Sequence, residues 1–486
     1  MHAFCRGHSV GPVELHEMTA LALWQELQAG RVSPRELASH YLDRIERLNP
    51  QLGAFVTVTR ERALERADEV AEQVPRTAPL WGLPSGDKDL WLRAGVPAGF
   101  GSRVMAGFVP DTSDEIVQTL DAAGAVSLGK TNAPEFGLPA YTESLAAPPA
   151  RNPWNPDLGA GGSSGGAAVA VASGMLPFAP GSDGGGSVRI PAAACGLVGL
   201  KPSRGLVPAG SGIDSLAGLV VDGPLARTTA DAALLLDGMI AKVGGRIDHH
   251  YTLRAPYDDD GPFLGTAIRG EGRFQLGVMT TSAWDDAYDI VVSPEARSAL
   301  DAAVEAFAAM GHGVEETALE PDPTYAPAFR TIWQAGAARI PAEGEALALL
   351  EPLTAWLVQR GRSILARELS EALSALTAYE RSFIRQLASF DAVLTPALAL
   401  TPRPVGWYDQ EDGERNFEQQ VLYTPFTSML NVTGLPAIVL PVAQTEDGLP
   451  MGVQLIGRPG GERTLLSLAA QLERRLHWET RRPPMW

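Results

Sequence analysis

The chain has 486 residues, of which 45% are hydrophobic and 20% are charged. This composition is typical of a globular protein and excludes a disordered or collagen-like one. Acidic residues outnumber basic ones by 57 to 39, which gives a formal net charge of −18. Binding to nucleic-acid phosphates or to an anionic membrane needs clustered positive charge, which this sequence lacks, so neither is expected as a partner.

The sequence points to a reducing compartment. It has two cysteines, Cys5 and Cys195, too few for a disulfide framework or a cysteine-based zinc site. The first residues contain no apolar segment that would indicate a signal peptide. The apolar stretch over residues 167–180 is interrupted by glycine and proline and is too short to span a bilayer. We therefore expect a cytoplasmic protein.

The N-terminal part of the chain reads as helical. Apolar residues recur at helical spacing over residues 18–30 and 34–49, and Pro50 is expected to close the second of these helices. Residues 60–74 predict a third helix with one polar face.

The middle of the chain changes character and predicts short buried strands. Residues 81–203 are rich in Gly, Ser, Pro and Ala, and apolar runs such as residues 125–128 read as strands. Residues 116–123 predict the helix that leads into that strand. The acidic stretch over residues 243–273, which contains Gly and Pro, is expected to be a surface loop or a linker.

The C-terminal part alternates strands and helices. A βαβ unit is predicted, followed by a mainly helical region, two buried strands and a final helix: residues 274–279, 294–311, 313–320, 326–390, 391–400, 436–442 and 463–476. This alternation predicts the α/β class, as one α/β/α domain over residues 1–486 with a central sheet covered by helices on both faces.

The densest cluster of unusual residues lies between Gly159 and Arg189. Two glycine–serine turns bracket a short segment of small residues. Successive backbone N–H groups in such turns can bind an anion, and serines beside them suggest a nucleophile next to an oxyanion hole. The alternative is a flexible Gly/Ser loop.

Common catalytic motifs fit poorly. Residues 161–165 match G-x-S-x-G, but no apolar strand precedes them, as a nucleophile elbow requires. Ser85 and Lys88 match S-x-x-K, but Pro84 and Gly86 disfavour the helix that this motif needs. No Gly-Lys-Ser/Thr ending marks a phosphate-binding loop. The nucleophile elbow and the phosphate-binding loop are therefore rejected, and the S-x-x-K motif is kept only as an alternative.

Lysine is a better candidate base than histidine. No histidine lies in a motif that would hold an imidazole, and no ligand spacing suggests a metal, so no metal or cofactor is expected. Only four of the 39 basic residues are lysines, and Lys88 has apolar surroundings. A buried lysine can be neutral near pH 7 to 8. The alternative role is a salt bridge to Asp87 or Asp89.

Several spaced motifs resemble those of the amidase signature family of serine hydrolases. They include GLPSGDKDL at residues 82–90, GGSSGG at residues 161–166 and GSDGGGSVRIPAAACGLVGLKP at residues 181–202. The resemblance extends over residues 18–475, with a signature core at about 80–205. It implies a single α/β/α domain around a large mixed sheet, in agreement with the pattern of elements.

The resemblance implies roles for individual residues. Ser187 matches the nucleophile, Ser163 matches a serine that follows a cis peptide and relays the proton, and Lys88 matches the base. The residues that match the oxyanion hole, through their backbone N–H groups, are Gly184, Gly185, Gly186 and Ser187. Asp183 and Arg189 match residues that brace the nucleophile loop.

The resemblance also bears on the substrate. The D-G-G-G-S form of the nucleophile motif is similar to a subgroup that hydrolyses small or cyclic amides, nylon oligomers, anilides and carbamates. Aromatic residues Tyr141, Phe329 and Trp333 are expected to line an apolar substrate pocket, although such residues are often core. We expect a small-molecule amide or carbamate substrate, and a monomer or homodimer.

The sequence leaves two alternative functions open. One is a glutaminase-type subunit of a tRNA-dependent amidotransferase. Such subunits carry an aspartate in the last substrate loop, whereas residues 423–427 offer threonine, which disfavours glutamine as the substrate. The other is a catalytically silent binding protein on the same fold. Hydrolysis of amides by the chain alone would distinguish the main hypothesis from both.

Overall fold

The computed structural model describes residues 14–207, 215–240 and 261–486. Within these ranges the strands form two sheets. The strands are β1 (Phe55–Val58), β2 (Pro84–Lys88), β3 (Val126–Thr131), β4 (Phe178–Asp183), β5 (Val198–Lys201), β6 (Val221–Ala226), β7 (Gln275–Val278), β8 (Gly313–Glu316), β9 (Ala392–Pro396), β10 (Ala437–Gln444) and β11 (Pro450–Gly457).

Helices account for most of the remaining regular structure. They are α1 (Ala20–Gln28), α2 (Pro34–Leu52), α3 (Arg60–Gln73), α4 (Glu115–Ala122), α5 (Gly165–Ala172), α6 (Arg189–Cys195), α7 (Thr229–Met239), α8 (Phe263–Arg269), α9 (Pro294–Ala309), α10 (Tyr325–Ala337), α11 (Pro352–Ser363), α12 (Ala366–Gln386), α13 (Gly413–Tyr423), α14 (Met429–Thr433) and α15 (Glu462–Leu476). Among the described helices, none has the length and apolar character needed to cross a membrane.

The large sheet is mixed, as predicted. Its eight strands run in the order β4-β6-β5-β10-β11-β9-β7-β8. β7 pairs in parallel with β8 and β9, and the other pairs are antiparallel. Helices α5, α6, α7, α9 and α15 pack against its strands. The predicted α/β class with a large mixed sheet is therefore confirmed.

A second sheet was not foreseen from the sequence. Its three strands run in the order β1-β3-β2, with β3 antiparallel to β1 and parallel to β2. Every residue of β2 is buried, and Lys88 is its last residue. β2 also packs against β4 of the large sheet. The small sheet thus places Lys88 next to β4, an edge strand of the large sheet.

Helix α2 shows how local sequence sets an element's bounds. The Ser33 hydroxyl accepts a hydrogen bond from the Glu36 N–H, and the Glu36 carboxylate accepts one from the Ser33 N–H, which forms a capping box. The expectation that Pro50 closes this helix is wrong, because the helix runs on to Leu52 and ends at Gly53 in the left-handed conformation. A proline in the last turn removes only one helical N–H donor.

The predicted surface loop over residues 243–273 is partly wrong. Residues 243–260 of this range lie outside the described residues. Residues 263–269 form helix α8, whose first two N–H groups donate to the Asp237 carboxylate. The Asp237 carboxylate thus accepts hydrogen bonds from N–H groups that have no partner within the helix. The Gly and Pro residues of this stretch gave no indication of a helix.

Candidate active site

Lys88 lies at the centre of a cluster of hydroxyl groups. Its Nζ is 2.8 Å from both Ser163 Oγ and Ser164 Oγ, 2.9 Å from Ser182 Oγ and 3.2 Å from the Ser182 carbonyl oxygen. The Ser164 hydroxyl itself donates to that carbonyl, at 3.3 Å. A neutral amine has two N–H donors and one lone pair. It can therefore donate toward Ser164 and Ser182 and accept a proton from the Ser163 hydroxyl.

The environment of Lys88 favours this neutral form. Burial lowers the pKa of the amine to about 7, although the nearby carboxyl groups of Asp222 and Asp183 act in the opposite direction. Desolvation disfavours the charged form, and that effect outweighs the attraction of the carboxylates here.

The alternative role of Lys88 in a salt bridge is wrong. Asp87 forms its ion pair with Arg93, at 2.5 Å, and Asp89 lies 3.9 Å from the amine of Lys130. Within the described part of the chain, Lys88 forms no ion pair. The two flanking aspartates therefore do not pair with the Lys88 amine, which contacts serine hydroxyl groups instead.

Ser163 and Ser187 share one wall of a large cavity. Both line it, and the Ser164 N–H donates to the carbonyl oxygen of Ser187, at 3.1 Å. The peptide bond between Gly162 and Ser163 is cis, as the resemblance implies. The structure thus brings together Lys88, Ser163 and Ser187, whose positions in the sequence are far apart.

The loop that carries Ser187 is held by a buried ion pair. Asp183 ends β4 and accepts hydrogen bonds from the N–H groups of Gly186 and Val188, at 2.8 and 3.2 Å. The guanidinium of Arg189, at the start of α6, binds the same carboxylate at 2.9 Å. Burial alone would raise the pKa of Asp183, but Arg189 outweighs it and lowers the pKa to about 2. The carboxylate therefore stays charged.

Arg189 ties this loop to the C-terminal part of the chain. The side chain is fully buried and donates to three further acceptors: the Thr427 carbonyl oxygen, Gln454 Oε1 and Asn431 Oδ1, at 2.9, 2.7 and 2.8 Å. With its bonds to Asp183, the guanidinium is surrounded by acceptors. Such contacts can hold the loop of Ser187 in place, and the structural role of Asp183 and Arg189 stays a prediction.

The predicted oxyanion hole needs one correction. The Gly186 N–H already donates to Asp183, so this donor is not directed at a ligand. In the described chain, the N–H groups of Gly184, Gly185 and Ser187 form no hydrogen bond. Gly184 and Ser187 line the large cavity, and Gly185 lines a smaller one beside it. Three of the four expected donors are therefore available.

The large cavity has a volume of about 440 Å³ and mostly apolar walls. Apart from the serines, its lining includes Leu90, Phe136, Leu138, Leu216, Leu219, Val220, Ile332, Trp333 and Ile340. Such walls suit a hydrophobic organic ligand with a few polar groups at one end.

Asp222 is a cavity residue that the sequence analysis missed. It is only 6% exposed, and its carboxyl group has no hydrogen-bond or ion-pair partner among the described residues. Burial raises its pKa to about 7, although the nearby Lys88 opposes this shift. Asp222 pairs with Ser182 across β6 and β4. Only this strand pairing, which no local motif encodes, brings it to the site.

Of the three aromatic residues predicted to line the substrate pocket, two line a cavity and one does not. Trp333 lines both cavities, and Phe329 lines the smaller one. Tyr141 lines neither, so its assignment to the pocket is wrong. Its ring stacks on Tyr408 with 4.0 Å between centroids, and its hydroxyl accepts a hydrogen bond from Asn416. These partners bury Tyr141 in the core.

One group of metal-ligating side chains occurs among the described residues. Glu14, His16 and His40 lie close together, with 3.1 Å between His16 Nδ1 and His40 Nε2. Burial lowers the pKa of His16 to about 4, and neighbouring arginines act in the same direction. None of the three residues lines the large cavity. This cluster was not visible in the sequence, because its members have no regular spacing.

Comparison with known proteins agrees with this architecture. Residues 36–466 match the amidase family. The 6-aminohexanoate-cyclic-dimer hydrolase of Paenarthrobacter ureafaciens is 33% identical, with 96% of this chain and 98% of that protein covered.

Solved structures are similar over nearly the whole chain. The structure of a 6-aminohexanoate cyclic dimer hydrolase complexed with substrate has a TM-score of 0.87 and 31% identity, and covers 97% of this chain and 99% of that one. A bacterial aryl acylamidase of the amidase signature enzymes has a TM-score of 0.82 and 25% identity, with coverage of 96% and 98%.

Fold and family together define an α/β hydrolytic enzyme whose candidate site combines serines with a buried lysine. The chain belongs to the amidase family, and within it to the amidase signature enzymes. It is an amidohydrolase.

Proposed function

We propose that this enzyme hydrolyses C–N bonds in small, aryl or cyclic amides, and in carbamates, through an acyl-enzyme on Ser187. The observation that carries the proposal is the fully buried Lys88 amine, 2.8 Å from the Ser163 hydroxyl oxygen, beside the cavity that Ser187 also lines. A serine hydroxyl becomes an effective nucleophile only when a base takes its proton. Lys88 and Ser163 supply such a path.

The first step transfers a proton away from Ser187. Neutral Lys88 takes the proton of the Ser163 hydroxyl, and Ser163 takes the proton of Ser187. The Ser187 oxygen then forms a bond to the substrate's carbonyl carbon. The pKa of about 7 makes the neutral amine available near neutral pH.

The tetrahedral intermediate needs donors for its oxyanion. The N–H groups of Gly184, Gly185 and Ser187 fill this role, whereas the Gly186 N–H keeps the Asp183 carboxylate in place. Donors fixed before the reaction stabilise developing charge without reorganisation, and losing one such donor typically costs about a hundred- to a thousand-fold in rate.

Collapse of the intermediate breaks the C–N bond. Ser163 gives its proton to the leaving nitrogen, is reprotonated by Lys88, and the amine departs. A water molecule then attacks the acyl carbon, its proton follows the same path, and the acid and Ser187 are released. With a carbamate, the released product is a carbonic acid monoester. The chain's own side chains make every proton transfer in this scheme.

Aryl substrates are supported by the apolar walls of the large cavity. The similarity to an aryl acylamidase and to a hydrolase of a cyclic dimer supports anilides and cyclic amides as test compounds. The purified chain, without partners, should be assayed against anilides, cyclic amides and aryl carbamates. A glutaminase-type subunit or a silent binding protein would not turn over these compounds.

A pair of serine variants tests the nucleophile. Ser187→Ala should lower turnover by roughly 10⁴-fold or more, because it removes the attacking atom. Ser85→Ala is the matched control: Ser85 is buried in β2, lines neither cavity and should be dispensable. Mass spectrometry of the quenched reaction should find the acyl group on Ser187. Loss of activity in Ser85→Ala, with Ser187→Ala active, would overturn the proposal.

A further inference from the structure

Ser187 lies between two cavities of very different size. The large one, of about 440 Å³, also contains Ser163. The small one, of about 60 Å³, lies on the side of Gly185 and of helix α13. Among the described residues, Leu138, Ser187 and Trp333 alone line both cavities. A substrate bound covalently at Ser187 therefore has two separate spaces for its two halves.

The position of Ser163 assigns the large cavity to the amine half. In the mechanism proposed above, Ser163 donates the proton to the leaving nitrogen, which must lie within hydrogen-bond reach of its hydroxyl. Ser163 lines the large cavity and not the small one. The nitrogen and its substituent consequently extend into the large cavity.

The acyl half must leave the carbonyl carbon in a different direction. The four substituents of the tetrahedral carbon point apart, and Ser163 and the glycine N–H groups account for the nitrogen and the oxyanion. The space that remains at Ser187 is the small cavity. About 10 to 15 Å³ of such space accommodates one water molecule, so roughly four to six non-hydrogen atoms fit.

The far wall of the small cavity is well anchored. Trp284 Nε1 donates to Ser428 Oγ at 2.9 Å, and the Tyr325 hydroxyl lies 2.8 Å from the same oxygen. Phe329 packs edge to face on Trp284, with 5.3 Å between ring centroids. Close-packed and hydrogen-bonded side chains of this kind resist displacement by a longer ligand.

We propose that this enzyme selects amides and carbamates with a short acyl or alkoxycarbonyl group and a bulky, apolar amine. The small cavity beside Gly185 holds the acyl part, and the large cavity beside Ser163 holds the amine part. This inference rests on the proposed function, because Ser187 and Ser163 fix the two directions.

Two series of anilides test the partition. In the first, the acyl group of an anilide grows from acetyl to octanoyl. In the second, acetanilides carry 4-alkyl chains from methyl to octyl on the ring. Release of the aniline gives kcat/KM for each compound. We expect a fall of at least tenfold beyond about five acyl carbons, and less than threefold change along the ring series. The inference would be overturned if kcat/KM fell equally along both series, or fell more along the ring series than along the acyl series.

A matched pair of valine variants tests which cavity limits the length of the acyl group. Val421→Ala enlarges the small cavity, and Val220→Ala makes the same change in the wall of the large one. Val421→Ala should raise the ratio of hexanoyl to acetyl kcat/KM by at least threefold, and Val220→Ala should leave this ratio unchanged. The opposite pattern would assign the acyl group to the large cavity.

A variant that makes the small cavity smaller provides a second test, which does not require the removal of buried side-chain atoms. Ala140 lines only the small cavity, so Ala140→Leu should shift the preference further toward acetyl or formyl anilides. Acylation of Ser187, followed by mass spectrometry, distinguishes a failure of the proposed function from a failure of the partition between the two cavities. No acyl group on Ser187 refutes the proposed function, whereas an acylated Ser187 with no acyl-length preference refutes only the partition.

Discussion

Ser182 and Asp222 lie directly opposite each other on the antiparallel strands β4 and β6. Residues paired in this way project from the same face of a sheet. The Ser182 hydroxyl is 2.9 Å from the Lys88 amine, and the Asp222 carboxyl group is buried at the cavity beside it. The candidate base therefore has a buried acid as a neighbour.

The first prediction follows from this pair. The Asp222 carboxylate raises the pKa of Lys88, so Asp222→Asn should lower that pKa. In the proposed mechanism the neutral amine carries the activity, so the limb of kcat/KM that rises with pH should move to lower pH. Asp237→Asn, a change to a partly buried carboxylate that caps α8, should leave the limb in place. An unmoved limb in Asp222→Asn would show that the two groups do not interact.

The second prediction concerns Lys88 itself. In the wild-type enzyme, kcat/KM should rise along one ionisation near pH 7, where burial places the pKa of this amine. Lys88→Arg keeps the charge but cannot act as a neutral base. It should therefore lose roughly a hundredfold or more in rate, nearly as much as Lys88→Ala. Turnover across pH 6 to 10, with folding checked by circular dichroism, measures this. A folded Lys88→Arg within about tenfold of wild type would remove Lys88 from the mechanism.

The third prediction concerns stability. Arg189→Met leaves the Asp183 carboxylate buried without its ion-pair partner, which typically costs about 3–5 kcal/mol. The midpoint of urea denaturation should fall clearly. The double variant Asp183→Asn/Arg189→Met should recover part of the loss, since no uncompensated charge remains. Arg35→Met removes an exposed ion pair with Asp68 and should change little. Equal effects of Arg189→Met and Arg35→Met would contradict this account.

The fourth prediction is that hydrolysis does not depend on a metal ion. The proposed relay moves protons through Lys88 and Ser163, and the Glu14, His16 and His40 group does not line the cavity. Enzyme dialysed against excess EDTA should keep its rate. A loss that zinc or magnesium restores would refute the prediction, and the variant His40→Ala would then test whether this group binds the ion.

The sequence could predict those residues of the candidate site that lie in local motifs. Lys88, Ser163 and Ser187 each stand in a short pattern of glycines and small residues. In the structure, Ser163 and Ser187 line the large cavity and the Lys88 amine lies 2.8 Å from Ser163 Oγ. Ser182 and Asp222 could not be connected in this way, because their proximity depends on how β4 and β6 pair. The small sheet was missed for a similar reason: β2 is short, and its residues PSGDK have no strand periodicity.

Aromatic residues were harder to interpret than the motifs. Phe329, Trp333 and Tyr141 look equivalent in sequence, since each is large and lies in an apolar region. Only packing separates them: Trp333 faces both cavities, whereas Tyr141 is covered by Tyr408. Likewise, sequence could not show that the Gly186 N–H is bound to Asp183. Such differences depend on backbone geometry that residue types alone do not reveal.

The bonds that Arg189 makes to the C-terminal part of the chain have a consequence for protein synthesis. Arg189 is synthesised long before Thr427, Asn431 and Gln454, so the loop of Ser187 lacks these acceptors until late in elongation. A nascent or prematurely terminated chain can therefore contain Lys88, Ser163 and Ser187 and still lack contacts that hold the loop of Ser187 in place. We expect such a chain to hydrolyse amides more slowly than the chain of 486 residues.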